Sequence, residues 1–213
     1  MATYDLDEQE RLDELKAWWK RWGNLVLIGL AVVVAAAAGW RYWQTRTVTQ
    51  SLEAAAVYEK LVQSLSANDA KGAREAGSLL IDQYPGTAYA PRAALLLAKL
   101  NAGAKDLKSA QAQLEWVVAN SKEPAVRDLA RLRLAGVQLD QQQYDAALKT
   151  LAASHSDAYA PRFDDLKGDV LLAQGKPAEA RTAYQAAFGK LKEDNPYRSI
   201  VELKLDALGG EAK

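Results

Sequence analysis

Nineteen consecutive residues, Trp22 to Trp40 (WGNLVLIGLAVVVAAAAGW), carry no charge, and this run places part of the chain in a different solvent from the rest. As a helix rising about 1.5 Å per residue it reaches about 28 Å, close to the ~30 Å hydrocarbon thickness of a bilayer. Trp18, Trp19 and Trp22 stand before it and Trp40, Tyr42 and Trp43 after it, where amphipathic rings settle at headgroup level. Five of the six tryptophans therefore mark the two ends of one span, with Lys20, Arg21 and Arg41 as charged stops. A cleaved signal peptide is the alternative, because Ala35 to Ala38 offers a small-residue cleavage pattern. Six carboxylates precede the apolar run (Asp5, Asp7, Glu8, Glu10, Asp13, Glu14), whereas a signal n-region is short and basic, so a retained anchor is expected. With no cysteine in the chain, lipidation is not expected to supply that anchor.

Arg11, Lys16, Lys20 and Arg21 lie before the span and Arg41 and Arg46 just after it, a weak bias toward an internal amino terminus. Leu12, Leu15, Trp18, Trp19 and Trp22 share one helical stripe, the pattern of a short interfacial helix. Beyond Trp43 neither Gly nor Pro appears before Leu52, so the membrane helix is expected to run on toward the next domain. Its weak point is Thr45 to Thr49, where β-branched residues lower helix propensity and offer a hinge.

From Thr47 onward the sequence is rich in helix formers and carries 21 basic and 21 acidic residues. That balance lacks the excess positive charge that phosphate backbones require, so nucleic acid is excluded as an expected partner. The pentapeptide Ala88-Tyr89-Ala90-Pro91-Arg92 recurs unchanged as Ala158-Tyr159-Ala160-Pro161-Arg162, seventy residues on, and Arg127 stands halfway between the two arginines. A period near 35 residues is that of two-helix solenoid repeats. In the second helix of each unit, Ala110, Leu114 and Val117 match Ala180, Tyr184 and Ala187. Ala73, Gly77 and Leu80 give an earlier register, and Ala147, Leu151 and Ser154 an intermediate one.

Against the tetratricopeptide pattern, Ala73, Ala110, Ala147 and Ala180 hold the small position where helices cross closely, Gly168 marks a tight crossing, and Pro85 follows a helix end. Turn signals fall at Asn68-Asp69, Pro85-Gly86, Asn101 to Gly103, Ser121 to Pro124, His155 to Asp157, Gly175 to Pro177 and Asp194 to Pro196. The expected architecture is all-α: one transmembrane helix, then an α-solenoid of about four degenerate helix pairs, then a capping helix over Tyr197 to Leu208. The expected boundaries are a head with an interfacial helix at 1–21, the span at 22–43, a connector at 44–51, the repeat domain at 52–208 and a frayed tail at 209–213.

Chemistry is conspicuous by its sparseness. His155, the only histidine, sits in the polar segment Ser154 to Asp157 without a second histidine or a cysteine, and reads as a solvated loop residue. Gly175-Lys176-Pro177 lacks the spacing and the hydroxyl of a phosphate loop. Asp165 and Asp169 share a face at i and i+4, a pair suited to binding a cation or to acid/base work, although a solvated face or pairing with Arg162 or Lys167 is the commoner outcome. No catalytic, cofactor-binding or metal-ligating residue is expected.

Stacked helix pairs do offer a concave wall built from their first helices. By register, Tyr58, Val62, Arg92, Leu95, Lys99, Leu132, Arg162, Asp165 and Asp169 are candidates for it. The mixture of apolar and oppositely charged residues suits an extended peptide or a partner helix, although some of these residues are equally suited to packing against the neighbouring repeat.

The span ending Gly39-Trp40-Arg41-Tyr42-Trp43-Gln44, the acidic head, the paired tryptophans between Lys16 and Lys20, and the degenerate repeats together resemble the YfgM family over the full length. Tyr144 to Leu151 and Gly168 to Arg181 extend the likeness. The resemblance implies an ancillary subunit of the bacterial Sec translocon in the inner membrane, with its amino terminus cytoplasmic and its repeats periplasmic. Implied partners are the lipid bilayer, translocon subunits, a membrane-anchored periplasmic chaperone of the prolyl-isomerase type, translocating polypeptides, and a cytoplasmic response regulator reached through the head. An envelope scaffold that joins complexes without touching translocating chains is the competing expectation.

Overall fold

Four three-residue turns set the register of the repeat domain. In the computed structural model, which describes the backbone of residues 3–209 and the side chains of 11–209, each turn reverses the chain through one residue with left-handed backbone. These are Asn68 (φ 56°), Lys105 (φ 64°), Gln142 (φ 61°) and Gly175 (φ 77°). The amide of each bonds the carbonyl three residues back, and the next amide reaches five back, as in Gln142 to Leu139 and Gln143 to Gln138, both 2.8 Å. This double bond satisfies two carbonyls left open at a helix end. Only Gly175 adopts the conformation without a Cβ penalty; at the other three the hydrogen bonds impose it.

Among the described residues nine helices follow from these turns and the longer loops between pairs: α1 (Thr3–Ser66), α2 (Ala70–Gln83), α3 (Tyr89–Gly103), α4 (Leu107–Asn120), α5 (Pro124–Asp140), α6 (Tyr144–Leu151), α7 (Ala160–Ala173), α8 (Pro177–Lys190) and α9 (Arg198–Ala207). Among the described residues no strand occurs. The chain divides after Gln50 into two units.

In the first unit, Leu12, Leu15, Trp18, Trp19, Trp22 and the apolar residues that follow stand exposed on a helix that meets the length and hydropathy of a single membrane span. The expected hinge does not interrupt the helix. Thr45, Thr47 and Thr49 turn their hydroxyls back onto the carbonyls of Arg41, Trp43 and Thr45 at 2.9, 2.9 and 3.1 Å, which keeps polar groups occupied within the helix itself. The carboxylates expected at Asp5, Asp7, Glu8 and Glu10, and the tail from Gly210, lie outside the described side chains.

The second unit pairs the end of α1 with α2, α3 with α4, α5 with α6 and α7 with α8, and closes with α9. Ala73, Ala110, Ala147 and Ala180 are all fully buried, because the paired helix passes too close for a larger side chain. A Cβ on Gly168 would lie 2.3 Å from the Tyr184 ring, so glycine alone permits that crossing. The core is distributed: Leu61 and Leu80 pack with Leu97, Leu114 with Leu134, Ala147 with Phe163, and Leu171 with Val201 and Leu205. Each cluster joins neighbouring pairs, as solenoid stacking requires.

Two departures from expectation concern the third pair. The turn at Gln141 to Gln143 has no glycine, proline or capping acid to announce it. Helix α6 also stops at Leu151, short of the expected register position Ser154. Asp128, buried on α5, accepts the Ser156 amide at 3.0 Å, and Arg131 holds the Ser154 carbonyl at 2.9 Å, drawing the chain away from the helix. His155 follows it: half-buried rather than solvated, it stacks on Phe163 with ring centroids 4.1 Å apart. Where α3 was expected to turn, Asn101 to Gly103 continue the helix, and the reversal falls at Ala104 to Asp106.

Candidate partner groove

The first helices of the pairs carry every candidate wall residue, and the structure sorts them into three environments. Near the start of the domain, the rings of Tyr58 on α1 and Tyr89 on α3 pack against each other at a tilt of 44°, centroids 5.4 Å apart, while Val62, one turn further on, is exposed. Arg92 grips Glu123 with two parallel N–H···O bonds of 2.9 Å, a fork that ties the start of α3 to the start of α5. Leu132 is half-buried beside Ala135 and Phe163.

A second environment is a hollow of about 380 Å³ between α3, α4 and α5. Ala98, Ala102, Leu114 and Val137 form its floor, and Lys99, Arg133 and Asp140 stand exposed at its rim. Of the expected wall residues only Lys99 opens onto it. Leu95, one turn away, is 6 % exposed and belongs to the core with Leu114 and Leu134, so its expected place on the accessible wall is corrected to packing.

The third environment is a closed ionic cluster at the end of the domain. Lys204 on α9 reaches Asp165 at 2.9 Å and Asp169 at 2.8 Å. The Tyr184 hydroxyl donates to Asp169 at 2.8 Å, that of Tyr197 donates to Asp165, and the Arg162 guanidinium lies 4.4 Å above the Tyr197 ring. Burial first, and then the facing carboxylates, push both phenols well above their ordinary value, so they remain protonated donors. Asp165, 2 % exposed, is therefore not a groove residue; it fastens the cap. The carboxylate pair takes neither Arg162 nor Lys167 as its ion-pair partner but an amine 39 residues downstream of Asp165.

With this arrangement of helices, residues 16–210 match the family described as "Tetratricopeptide repeat-like domain". The chain is also similar over nearly its whole length to curated proteins named "Ancillary SecYEG translocon subunit". One from Neisseria gonorrhoeae is 34 % identical over 98 % of this chain and 100 % of its own length. One from Haemophilus influenzae is 30 % identical over 87 % of this chain and 90 % of its own. The Escherichia coli relative is likewise 30 % identical, over 87 % of this chain and 89 % of its own.

The chain belongs to the family of ancillary SecYEG translocon subunits.

In this member of the family, sequence reading missed Arg133, Gly136 and Asp140 at the hollow. Gly136 was the available signal: it stands inside α5, one turn from its end, at a cost in helix propensity, yet a Cβ there would touch nothing within 4 Å. No packing demand explains it, and its effect is to keep that side of the hollow low. A second, larger hollow of about 750 Å³ opens where α6 ends early, bounded by Leu148, Leu151, His155, Phe163, Lys167 and Leu171. It too escaped the sequence, because the shortening of α6 comes from a contact with α5.

Proposed function

We propose that this chain is a non-enzymatic, membrane-tethered interaction subunit of the Sec translocon. In this reading its amino terminus is cytoplasmic and its repeat domain periplasmic, and the domain helps emerging polypeptides pass to a membrane-anchored chaperone of the prolyl-isomerase type. The observation that supports the reading is similarity, 34 % over 98 % of the chain, to a protein named as an ancillary subunit of the SecYEG translocon. The Lys and Arg bias before the span supports the orientation. The hollow rimmed by Lys99, Arg133 and Asp140, apolar beneath and mixed in charge above, suits side chains of an unfolded segment bound weakly and without fixed sequence.

A tether makes weak recognition sufficient, since confinement beside a partner raises effective concentration toward the millimolar range. The head, residues 1–21, is in the same reading the segment available to a cytoplasmic response regulator.

The test is photo-crosslinking in native membranes with a photoreactive residue at Lys99, during arrested secretion of a known client. Adducts with the client and with translocon subunits are expected. Adducts with one fixed envelope protein and none with client would replace the chain-receiving role by that of a scaffold.

A further inference from the structure

The cap helix α9 has two apolar faces, and only one is used. Val201 and Leu205 are buried against α8. On the opposite side Ile200, Leu203 and Ala207 follow one another at intervals of three and four residues, which aligns them as a single stripe along the helix. Ile200 is 48 % and Leu203 71 % exposed. Other large apolar residues exposed in the repeat domain, Leu52, Val62, Leu79 and Leu172, stand apart in sequence and singly, as is ordinary for a surface. A solenoid cap normally turns a polar face outward, because nothing further stacks on it.

The charges beside the stripe say what kind of surface would cover it. Glu202 and Asp206 run along one flank, and Glu193 and Asp194 stand in the loop that leads to the helix. All four are exposed, and among the described residues no cation pairs with them. The nearby cations are engaged elsewhere: Arg198 lies 3.7 Å above the Phe188 ring and binds the Leu191 carbonyl at 2.7 Å, and Lys204 is held by Asp165 and Asp169. Lys192 alone offers an exposed positive charge in this segment against the four carboxylates.

We infer that the outer face of α9 is a docking surface for an amphipathic helix of another protein, one with apolar residues at three- and four-residue spacing and Lys or Arg along its flank. The geometry disfavours a second copy: in a two-fold antiparallel pairing the flank holding Glu202 and Asp206 meets its own image, and like charges oppose each other. A membrane surface is disfavoured by the same carboxylates, which anionic headgroups repel, and by the absence of the basic flank that such helices use. This surface stands apart from the hollow between α3 and α5 and does not depend on that hollow receiving a client.

The experiment places a photoreactive phenylalanine derivative at Leu203 of the full-length chain in native membranes and maps each adduct to the crosslinked peptide. The expected adduct lies in a helical segment with an apolar stripe and a basic flank, and E202K together with D206K lowers its yield about tenfold. Both substituted side chains are exposed and unpaired, so the melting temperature of that variant should stay at the parent value; I200S, at an exposed position of the stripe, serves as a second variant that interrupts the apolar face while keeping the charge, and it should lower the yield as well. An adduct with α9 of another copy, an adduct with lipid, no adduct, or a yield indifferent to the charge reversal would each overturn the inference.

Discussion

Leu25, Leu27, Val32 and Val34 in the apolar run are each more than half exposed to the surroundings of the protein, whereas Leu61, Leu80, Leu97 and Leu114 in the repeats are exposed by 1 % or less. The residue types are nearly the same; the arrangement differs. An unbroken apolar run presents itself on every side of a helix and finds its solvent in lipid, while a periodic pattern presents one face and finds it in another helix. In the span no side chain depends on a neighbouring helix, and in the repeats almost every core residue does.

The comparison is broken most severely by charge in the run. Replacing Leu30 and Val34 together with arginine should cost membrane insertion about 6 kcal/mol. Alkaline carbonate extraction should then release the chain, and retention in the pellet would contradict the assignment of this run as the span. In the repeats, where depth of packing replaces lipid, Leu114→Ala removes a side chain shared by α3, α4 and α5 and should lower stability by about 3 kcal/mol, read by urea unfolding, while membrane retention is unaffected.

Lys204→Met tests a polar contact between neighbours rather than an apolar one. It strands Asp165 inside the domain, and a loss of about 2 kcal/mol is expected, less than for a fully buried pair because the lysine is partly exposed. The tyrosines of the same cluster sharpen the point through pH. Their folded values are raised, so their contribution is complete below about pH 10, where a free tyrosine ionises, and fades as pH climbs above it. Urea midpoints should fall as pH climbs above about 10, and Tyr184→Phe with Tyr197→Phe should flatten part of that fall. Smallest of all, Gln142→Gly should leave both regions intact and stabilise the domain by about 0.5–1 kcal/mol, since it relieves a left-handed residue; an unchanged melting temperature would show that the turn stores no strain.

What the sequence disclosed follows the same division. The span needed only composition, and Ala73, Ala110, Ala147 and Ala180 announced the helix crossings because steric exclusion leaves a residue-type signature at a fixed period. The turn at Gln141 to Gln143 was silent because backbone hydrogen bonds, not side chains, make it. Helix α6 was expected to be longer because its local residues permit a helix; the carboxylate of Asp128, 28 residues from Ser156, decides otherwise. For the candidate groove, periodicity placed residues on helices but did not tell which side chains are spent on packing: Leu95 and Asp165 look no different in sequence from Lys99. The rim residues Arg133 and Asp140 became visible only when α3 and α5 were placed side by side.

The sharing of each core cluster between adjacent pairs also bears on how the protein comes into being. A chain synthesised from its amino terminus can complete the cluster of Leu61, Leu80 and Leu97 before the later pairs exist, and each new helix pair then has a finished surface to condense on. The last step differs in kind. Asp165 and Asp169 must wait for Lys204, so maturation ends with an electrostatic latch, and a molecule cut short before α9 would keep two acids open on α7 and an apolar surface on α8. A chain truncated there advertises its own incompleteness, by charge and by exposed apolar surface at once, to whatever quality control surveys it.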